Sequence, residues 1–564
     1  MSRRRFVVLV SAAMLIALAA VLVLAVALVT QTPWGRDRIR AFAESRIRDA
    51  IGGTIHVGRI SGSLFTNLVI DSVEIRGPDD SLFAATGRLE VHFDPRNLLE
   101  QRLILSGLRV ANASLHLRQD STGRFNFRDI FPSNPNPGPP RTTPGWGDYI
   151  VVDEGIVERL DLVLRTRWNP PGELRGPARD STIRHALARS DKEFHRVPGG
   201  YEQVRRFSNV RLELTRGRLD DKDAQGRTFD VRRIDVDISD PPFAFRGARG
   251  NLRLLGDSLW ADVADFRLPG SRGSMEGKVW WGNDLPARFD LRVESDTVSL
   301  ADIRWVYPTL PGEGGGRMKL AIRSQPDPRV VDYVITDMDV RTTASRLRGD
   351  MTFGIGAPVT ILKDVDLVAE PLDFRLIETL SGEPLPLPWR GTLSGRVVAA
   401  GGPLDRFVVD SADIVFTDAN VPGAGAAGRA RGTLDISEPA LAVFHGLALD
   451  LDRLDLRTLQ FLNPAFPRLN GTIAGRATLD SSWLDVRFHD ADLTHRYGDT
   501  PPTRMTGAGR VTFGESVTTY DVALNAQPLS FVTLARAYAG GRIPLRGEYQ
   551  GPLRLQGTTA DLAL

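Results

Sequence analysis

The sequence contains no cysteine among its 564 residues. This absence excludes a disulfide framework, a thiol nucleophile and any metal or iron–sulfur centre held by cysteine. An excess of one charge is missing as well, because 71 lysines and arginines stand against 69 aspartates and glutamates, for a formal net charge of +2. A chain this evenly balanced gives no indication of nucleic acid as a partner.

Residue patterns that support catalysis are also lacking. The sequence has no P-loop, no nucleophile elbow and no His-Glu-x-x-His zinc motif. Gly423–Gly428 matches the dinucleotide-binding pattern, but residues 432–436 after it have the character of a strand rather than a helix. Asp450, Asp452 and Asp455 are spaced as on a strand, which predicts solvated charges on its polar side. We therefore predict a protein that is not an enzyme and that carries no metal and no cofactor.

One long hydrophobic run is present, at the N-terminus. Phe6–Val29 holds 24 residues without a charge. A helix of this length covers roughly 36 Å, more than the ~30 Å of a hydrocarbon core. Three arginines within residues 1–5 favour a cytoplasmic tail before it. We predict a transmembrane signal anchor at 6–29, with the Ala25-Val26-Ala27 triplet leaving open a cleaved signal peptide.

A short amphipathic helix is expected at residues 33–51. Pro33 suits a helix start, and Gly52 and Gly53 suit its end. An apolar stripe along it is formed by Ile39, Phe42, Ile47 and Ile51. Such a helix could lie on the bilayer surface or cap one end of the structure that follows, and the sequence does not choose between these placements.

From Thr54 onward the apolar residues alternate with polar ones, as in Leu89-Glu90-Val91-His92-Phe93. Period-two alternation predicts strands with one apolar and one solvated face. Long amphipathic helices are nearly missing, which argues against a parallel sheet covered by crossover helices. The predicted fold class is therefore mainly β. The candidate residues of the apolar face are Leu89, Val91, Phe93, Leu212, Leu214, Phe289, Leu291, Val293, Leu484, Val486 and Phe488.

Two stretches divide the strands into segments. Residues 132–148 contain six prolines and are expected to form a linker between a first β-segment at 54–131 and a second at 149–294. Within the second segment, residues 170–206 are strongly charged and poor in alternation, so we predict a charged insertion that is either a long loop or partly disordered.

The remaining residues, 295–564, contain an internal repeat. A Gly-Arg pair begins at Gly316, Gly395 and Gly475, and a degenerate copy begins at Gly551, with spacings of 79, 80 and 76 residues. A leucine-rich motif of helical spacing precedes each copy, starting at positions 300, 372, 454 and 529. Two markers that keep nearly one period predict a stack of modules of about 75–80 residues, each with several strands and one short helix.

The apolar face must be covered by something. One possibility is that two sheets face each other and fill the space with their own side chains. The other is an open groove whose apolar face meets lipid tails. Alternation alone does not separate these two structures.

The order of these features resembles a known family. The predicted anchor and amphipathic helix are followed by Val57-Gly58-Arg59-Ile60-Ser61-Gly62-Ser63-Leu64-Phe65, then by Leu89-Glu90-Val91-His92-Phe93-Asp94-Pro95-Arg96-Asn97-Leu98-Leu99, and later by Asp120-Ser121-Thr122-Gly123-Arg124-Phe125-Asn126. This arrangement resembles the N-terminal portion of the TamB family, the inner-membrane subunit of the translocation and assembly module, within the AsmA-like group. The likeness covers most of residues 1–564, with 132–206 the least typical part.

The resemblance implies an elongated repeating β-groove, a U-shaped twisted sheet with short helices, preceded by one transmembrane helix. It also implies a single-pass protein of the inner (plasma) membrane with its bulk in the periplasm. The implied function is outer-membrane biogenesis, with membrane phospholipid carried along the groove. TamB proteins normally continue beyond this length, so the chain is expected to be a fragment or a shorter AsmA-like relative.

Two other functions stay open at this point. The chain could be an assembly factor for outer-membrane β-barrel proteins or autotransporters, acting in protein secretion with an outer-membrane barrel protein of the TamA/BamA type. It could also be a surface β-solenoid used for adhesion or polysaccharide binding. Phe6–Val29 argues against the last of these, because an anchored chain is not released to the cell surface.

Overall fold

A computed structural model describes most of the chain after residue 50. The described residues are 37–38, 40–41, 44–45, 51–63, 66–100, 102–131, 149–170, 172, 174–190, 192–219, 226–240, 242–280, 287–327, 330–356, 360–382, 384, 390–403, 406–435, 442–460, 468–514, 517–538, 546–558 and 562–563. They form two compact units. Unit 1 holds the described residues up to 269 and residues 274–278, and unit 2 holds residues 270–273 and those from 279 onward.

Unit 1 is built almost entirely of strands, as period-two alternation predicts. Its strands are β1 (Thr54–Val57), β2 (Ile60–Ser63), β3 (Asn67–Ile70), β4 (Val73–Arg76), β5 (Leu82–Thr86), β6 (Leu89–Phe93), β7 (Leu103–Val110), β8 (Ala113–Arg118), β9 (Ile150–Trp168), β10 (Glu193–Val197), β11 (Gly200–Arg218), β12 (Arg227–Ser239), β13 (Pro242–Leu255) and β14 (Ser258–Arg267). Its helices are α1 (Pro95–Leu99), α2 (Phe127–Ile130) and α3 (Gly176–Ala188). The boundary between the units falls within β15 (Arg272–Trp280).

Unit 2 is an antiparallel succession in which each strand pairs with the next along the chain, from β16 to β30. Its strands are β16 (Arg288–Ser299), β17 (Gly315–Ser324), β18 (Val331–Arg341), β19 (Arg346–Ile355), β20 (Ile361–Asp373), β21 (Gly391–Pro403), β22 (Arg406–Asp418), β23 (Gly425–Asp435), β24 (Val443–Asp455), β25 (Thr472–Ser482), β26 (Asp485–Arg496), β27 (Thr503–Phe513), β28 (Thr518–Ser530), β29 (Glu548–Thr558) and β30 (Leu562–Ala563). The mainly β prediction is thereby confirmed.

Short helices recur at one place in each repeat of unit 2. They are α4 (Leu300–Ile303), α5 (Phe374–Ser381), α6 (Leu456–Leu459) and α7 (Phe531–Ala537), and four strands lie between one helix and the next. The leucine-rich motifs of the sequence overlap these helices. Asp373, Asp455 and Ser530 cap three of the helices, because each side chain accepts a hydrogen bond from a backbone N–H of the first turn.

The first strands of unit 1 are long strands that break in the middle. β1 and β2 pair with β4 and β3 in one unbroken register, from Thr54 opposite Arg76 to Ile60 opposite Ile70. β5 with β6 and β7 with β8 continue this arrangement, and β7 and β8 both run parallel to β9. The breaks fall side by side, so the sheet has a crease that crosses these strands. Apolar residues from both sides of the crease pack into one cluster: Ile55, Val57, Ile60, Leu68, Ile70, Val73 and Ile75.

Bulges bend later strands in both units. Asn209 on β11, Asp337 on β18 and Asp490 on β26 have positive φ, and each lies at a shift in the pairing register. A bulge adds one residue to a strand and bends it, and asparagine and aspartate tolerate positive φ better than most residues. Short polar residues at these points therefore let the strands bend without losing their partners.

The prediction of a loop at 170–206 is wrong. Residues 176–188 form α3, residues 193–197 form β10, and residues 200–206 begin β11. The charges hid this regularity, because β10 and the start of β11 pair with arginine and glutamate side chains on both faces. Trp168 fixes the segment by packing its ring against Phe194 and Tyr201, with ring centroids 5.0 and 5.8 Å away.

The repeated Gly-Arg pair has a structural reason. Gly395 and Gly475 have φ values of 127° and 125°, in the region that favours glycine. A Cβ at either position would lie 2.0 Å from a carbonyl oxygen of the next strand, that of Asp413 or Asp492. Glycine is required there because the neighbouring backbone occupies the place of a side chain.

Several sequence predictions fall on residues outside the described ones. These are the anchor at 6–29, the linker at 132–148 and most of the amphipathic helix at 33–51, of which residues 37–38, 40–41 and 44–45 are described and are helical. Within the described part of the chain, no helix has the length and apolar character needed to cross a bilayer.

Candidate functional site

The eleven candidate residues of the apolar face lie on four strands, with one exception. Leu89, Val91 and Phe93 lie on β6, Leu212 and Leu214 on β11, Phe289, Leu291 and Val293 on β16, and Val486 and Phe488 on β26. Leu484 lies instead in the turn before β26, where its carbonyl accepts a hydrogen bond from Phe513 N at 2.8 Å. All eleven are half-buried, neither sealed in a core nor fully exposed.

Cross-strand pairing joins the candidates of unit 1 into continuous apolar rows. Leu89 and Leu212 belong to one row that crosses eight strands, which is about 34 Å at ~4.8 Å per strand. The row consists of Ile60, Ile70, Leu89, Val110, Val157, Leu212, Ile234 and Ala248. A second row, two residues away, consists of Leu68, Val91, Leu108, Gly155, Leu214, Val231, Gly250 and Val263. Sequence alternation identified members of these rows but not their continuity.

Unit 2 has equivalent rows. Val293 begins a row that crosses seven strands and continues through Leu320, Ile335, Met351, Val365, Ala399 and Val409. Phe488 belongs to another, with Leu447, Leu479, Gly509, Val522 and Leu555. We refer to all these rows as the apolar face.

The apolar face is closed at some strands and accessible at others. In unit 1 Ile60 is buried in the cluster at the crease, whereas the row from Ile70 to Ile234 is half-buried. In unit 2 the row is half-buried from Val293 to Met351 and then becomes buried at Val365, Ala399 and Val409. The protein's own side chains therefore cover the apolar face at some strands and leave it half-covered at others.

The opposite face of unit 2 carries an ordered set of charges that the sequence analysis missed. Six residues directly opposite one another on β21 to β26 alternate in sign. We call them the charge ladder: Arg396, Asp413, Arg429, Asp450, Arg476 and Asp492. Opposite charges across neighbouring strands attract, so the ladder favours this pairing register over a slipped one. The signal was present in the sequence, because each of these arginines follows a glycine, but only the register shows which aspartate stands opposite.

A depression of about 1500 Å³ lies over this charge ladder. Its lining includes all six ladder residues together with small side chains such as Ser411, Ala448 and Thr478. Positive and negative groups alternate along its floor and balance one another. Such a floor offers no concentrated charge of one sign to a polyanion.

No family model, no curated protein and no solved structure matches this chain.

Arginine partners lower the pKa values of several carboxyl groups on the charged face. The hydrogen bond from Arg504 to Asp492, at 2.9 Å, holds the pKa of that carboxyl below its usual range, and the charge of Arg476 adds to the effect. A hydrogen bond from Arg396 lowers the pKa of Asp366 for the same reason, with nitrogen–oxygen distances of 2.7 and 2.5 Å. These carboxylates stay ionised and paired at neutral pH, which suits a structural role.

The aspartate cluster near residue 450 is only partly solvated, which corrects the sequence prediction. Asp450 stands in the charge ladder on the polar face, and Asp452 is exposed. Asp455 is only 3% exposed, because it caps α6 and accepts a hydrogen bond from Arg457 N at 3.0 Å. Among the described residues, no group of three or more histidine, aspartate or glutamate side chains is placed to hold a metal ion.

Proposed function

We propose that this chain is an inner-membrane-anchored, bridge-like protein of the periplasm that carries phospholipid along its apolar face in outer-membrane biogenesis. The observation that carries the proposal is the continuity of the apolar rows, seven or eight strands long, with half-buried side chains over much of their length. A large apolar surface left accessible to solvent marks a place where a partner or ligand binds.

The physical mechanism follows from burial and from spacing. An acyl chain lying on the apolar face gains roughly 0.8 kcal/mol for each methylene removed from water. Neighbouring strands present similar side chains at ~4.8 Å intervals, so moving a tail from one strand to the next exchanges similar contacts. The headgroup stays at the margin of the sheet in water. The binding therefore holds a lipid without fixing it at one strand.

Only the half-buried parts of the rows are assigned to lipid. In unit 1 these run from Leu89 on β6 to Ile234 on β12, because Leu68 and Ile70 on β3 belong to the cluster at the crease. In unit 2 they run from Val293 on β16 to Ile335 on β18, and end there because Ile335 packs against a buried cluster that includes Met338. The buried residues Ile60, Val365 and Ala399 already have protein neighbours and leave no room for a tail.

Photo-crosslinking tests this assignment within single strands. A photoreactive amino acid at Leu212 or Leu320 faces the apolar side, whereas the same residue at Arg211 or Ala321 is one position away and faces the polar side. Phospholipid attached at Leu212 and Leu320 but not at the adjacent positions is the expected result. Equal attachment on both faces, or attachment to the polar face alone, would refute a lipid-carrying apolar face.

The partner at the outer membrane is proposed from the family resemblance alone. An outer-membrane barrel protein of the TamA/BamA type would receive the chain's cargo or act with it in assembling barrel proteins. Crosslinks from the apolar face to an unfolded barrel protein, in place of phospholipid, would favour the assembly role over lipid passage.

A further inference from the structure

Exposed phenylalanines gather at one small site of unit 1. Phe127 is the first residue of α2 and Phe131 follows its last, and the two residues are 39% and 48% exposed. Phe125 stacks on Phe127 with ring centroids 6.0 Å apart, and Phe83 meets Phe131 edge-on at 5.8 Å. We call these four residues the aromatic tip. The other large hydrophobic side chains that are exposed in the described part of the chain lie singly: Leu219, Trp305, Ile361, Val408, Val415 and Tyr549.

The exposure of the aromatic tip is built into the fold. Ile130, within the same helix, is 1% exposed and fixes α2 to the sheet. Asn126 adds three hydrogen bonds: its backbone N–H donates to Arg118 O at 2.9 Å, its side-chain amide donates to His116 O at 3.0 Å, and its side-chain oxygen accepts from Arg118 N at 3.1 Å. Because these contacts hold the backbone of the segment in place, the exposure of Phe127 and Phe131 is a property of the folded structure and does not arise from fraying of α2.

The aromatic tip is hydrogen-bonded to Gly52, which precedes the first strand and follows the predicted membrane anchor in the sequence. Gly52 N donates a hydrogen bond to Ile130 O at 2.8 Å. Gly52 is so close to α2 that a Cβ there would lie 2.1 Å from Asp129 O. Only 21 residues lie between Thr30, the residue after the 24-residue apolar run, and Gly52. Part of that connection is helical and lies against the sheet, because Glu44 accepts a hydrogen bond from Val57 N at 2.9 Å.

The composition of the aromatic tip suits the headgroup region of a bilayer. Aromatic side chains concentrate at the membrane–water boundary, where a ring can be buried while its surroundings stay polar. Exposed arginines at positions 124 and 128 accompany the rings, and arginine is favoured next to phosphate-bearing headgroups. A protein partner or a second copy of the chain would bury the rings as well, but neither explains why they lie beside the residues that lead into the membrane.

We propose that Phe127 and Phe131 dock onto the headgroup region of the bilayer in which the N-terminal run is anchored. This inference rests on the membrane anchor of the proposed function. Its consequence is that one end of unit 1 is held against the membrane surface, which orients the apolar face with respect to the lipids it would take up.

The absence of cysteine makes a clean test possible, because a single introduced cysteine is the only labelling site. The full chain is reconstituted in phospholipid vesicles with Phe127→Cys or Phe131→Cys carrying a bimane dye, and quenching by lipids brominated near the headgroup is measured. Leu219→Cys is the matched control, since Leu219 is also 39% exposed. Leu219 lies far from the aromatic tip, as the pairing along β9 shows. Arg218, next to Leu219, pairs with Val151 at the start of β9. Arg118, near the aromatic tip, pairs with Arg165, about 45 Å further along that strand.

We expect loss of fluorescence for labels at 127 and 131 and none for the label at 219. Ser121→Cys, an exposed turn residue that keeps all four phenylalanines, is expected to show weaker quenching and covers the case in which replacing a ring disturbs α2. Absence of quenching at 121, 127 and 131 overturns the inference. If the labels are shielded from an aqueous quencher but are not quenched by brominated lipid, the inference is overturned in favour of a protein partner. If the label at 219 is quenched equally, the inference is overturned because the dye itself partitions into the bilayer.

A label within the apolar run separates this failure from failure of the proposed function. Leu18→Cys should be quenched by lipids brominated deep in the acyl chain if residues 6–29 span the bilayer. Quenching at 18 without quenching at the aromatic tip leaves the anchor in place and rejects only the docking. Loss of quenching at both sites rejects the anchor and the docking together.

Discussion

An aspartate placed in the apolar row of unit 2 should remove lipid from that part of the sheet. Leu320 lies on β17 between Val293 and Ile335, is half-buried, and has the strands assigned to lipid on both sides. The neighbouring residue Ala321 is also half-buried but points to the other face, where it stands opposite Arg292. Leu320→Asp and Ala321→Asp therefore introduce the same charge one position apart on opposite faces.

The magnitude follows from desolvation and lost contact. A charged side chain at the centre of a bilayer costs about 3 kcal/mol, and since Leu320 is half-buried we assign about half of that. Loss of contact with about two methylenes contributes a similar amount at ~0.8 kcal/mol each. A total of about 3 kcal/mol lowers tail occupancy at this position on the order of a hundredfold.

The assay is the phospholipid content of the purified protein by mass spectrometry, together with transfer of a fluorescent phospholipid between vesicles. Both variants are first checked for folding by thermal unfolding, because loss of a half-buried leucine costs about 1–2 kcal/mol of stability by itself. A folded Leu320→Asp protein with the lipid content and transfer rate of the unmodified protein would refute the reasoning. An equal loss in Ala321→Asp would show that charge, rather than its position on the apolar face, is responsible.

Three further predictions concern other parts of the sheet. Phe93→Asp and Phe289→Asp should each abolish lipid co-purification, because both are half-buried on strands assigned to lipid; retention of lipid by the folded variants would contradict this. Gly475→Ala should lower the unfolding temperature more than Gly498→Ala, because a Cβ at 475 meets a backbone oxygen at 2.0 Å whereas none of the described atoms lies within 4 Å of one at 498; equal shifts would contradict the clash. Glu193→Gln should destabilise the protein near neutral pH but not near pH 2. A hydrogen bond from Arg206 lowers the pKa of Glu193 in the folded state from 4.5 to about 2, and the stabilisation is lost as pH falls through this range. Denaturant unfolding at several pH values measures the difference in stability between the two proteins, and a difference that does not change with pH would contradict the prediction.

The position of each strand was more predictable than what covers it. The alternation at Leu89 and at Phe289 predicted strands correctly, because a period of two follows directly from strand geometry. The prediction for 170–206 was wrong for two reasons. Charged residues line both faces of β10, so alternation is hidden, and the segment is held by contacts of Phe194 with Trp168, a residue far away in the sequence. Asp455 was misjudged because a capping aspartate and a solvated one follow the same local spacing.

The charge ladder illustrates a different limit. Arg396 and Arg476 could be read from the repeat. Asp413 and Asp492 have no such signal, and only the pairing register sets them opposite these two arginines. A shift of one residue would turn every side chain of a strand to the other face. Register is fixed by bulges such as the one at Asp490, and a bulge has no sequence signature as definite as alternation.

By itself, the sequence determined that the chain is mainly β, that each strand has an apolar and a polar face, and that short helices and Gly-Arg pairs recur along its second half. These properties are local, because side-chain alternation, capping and tight backbone contacts depend on neighbouring residues. Only the tertiary structure decided where the apolar face is filled by the protein and where it remains accessible. That outcome depends on which strand halves meet across the crease, so Ile60 and Leu212 share one row and yet only Ile60 is sealed in a core.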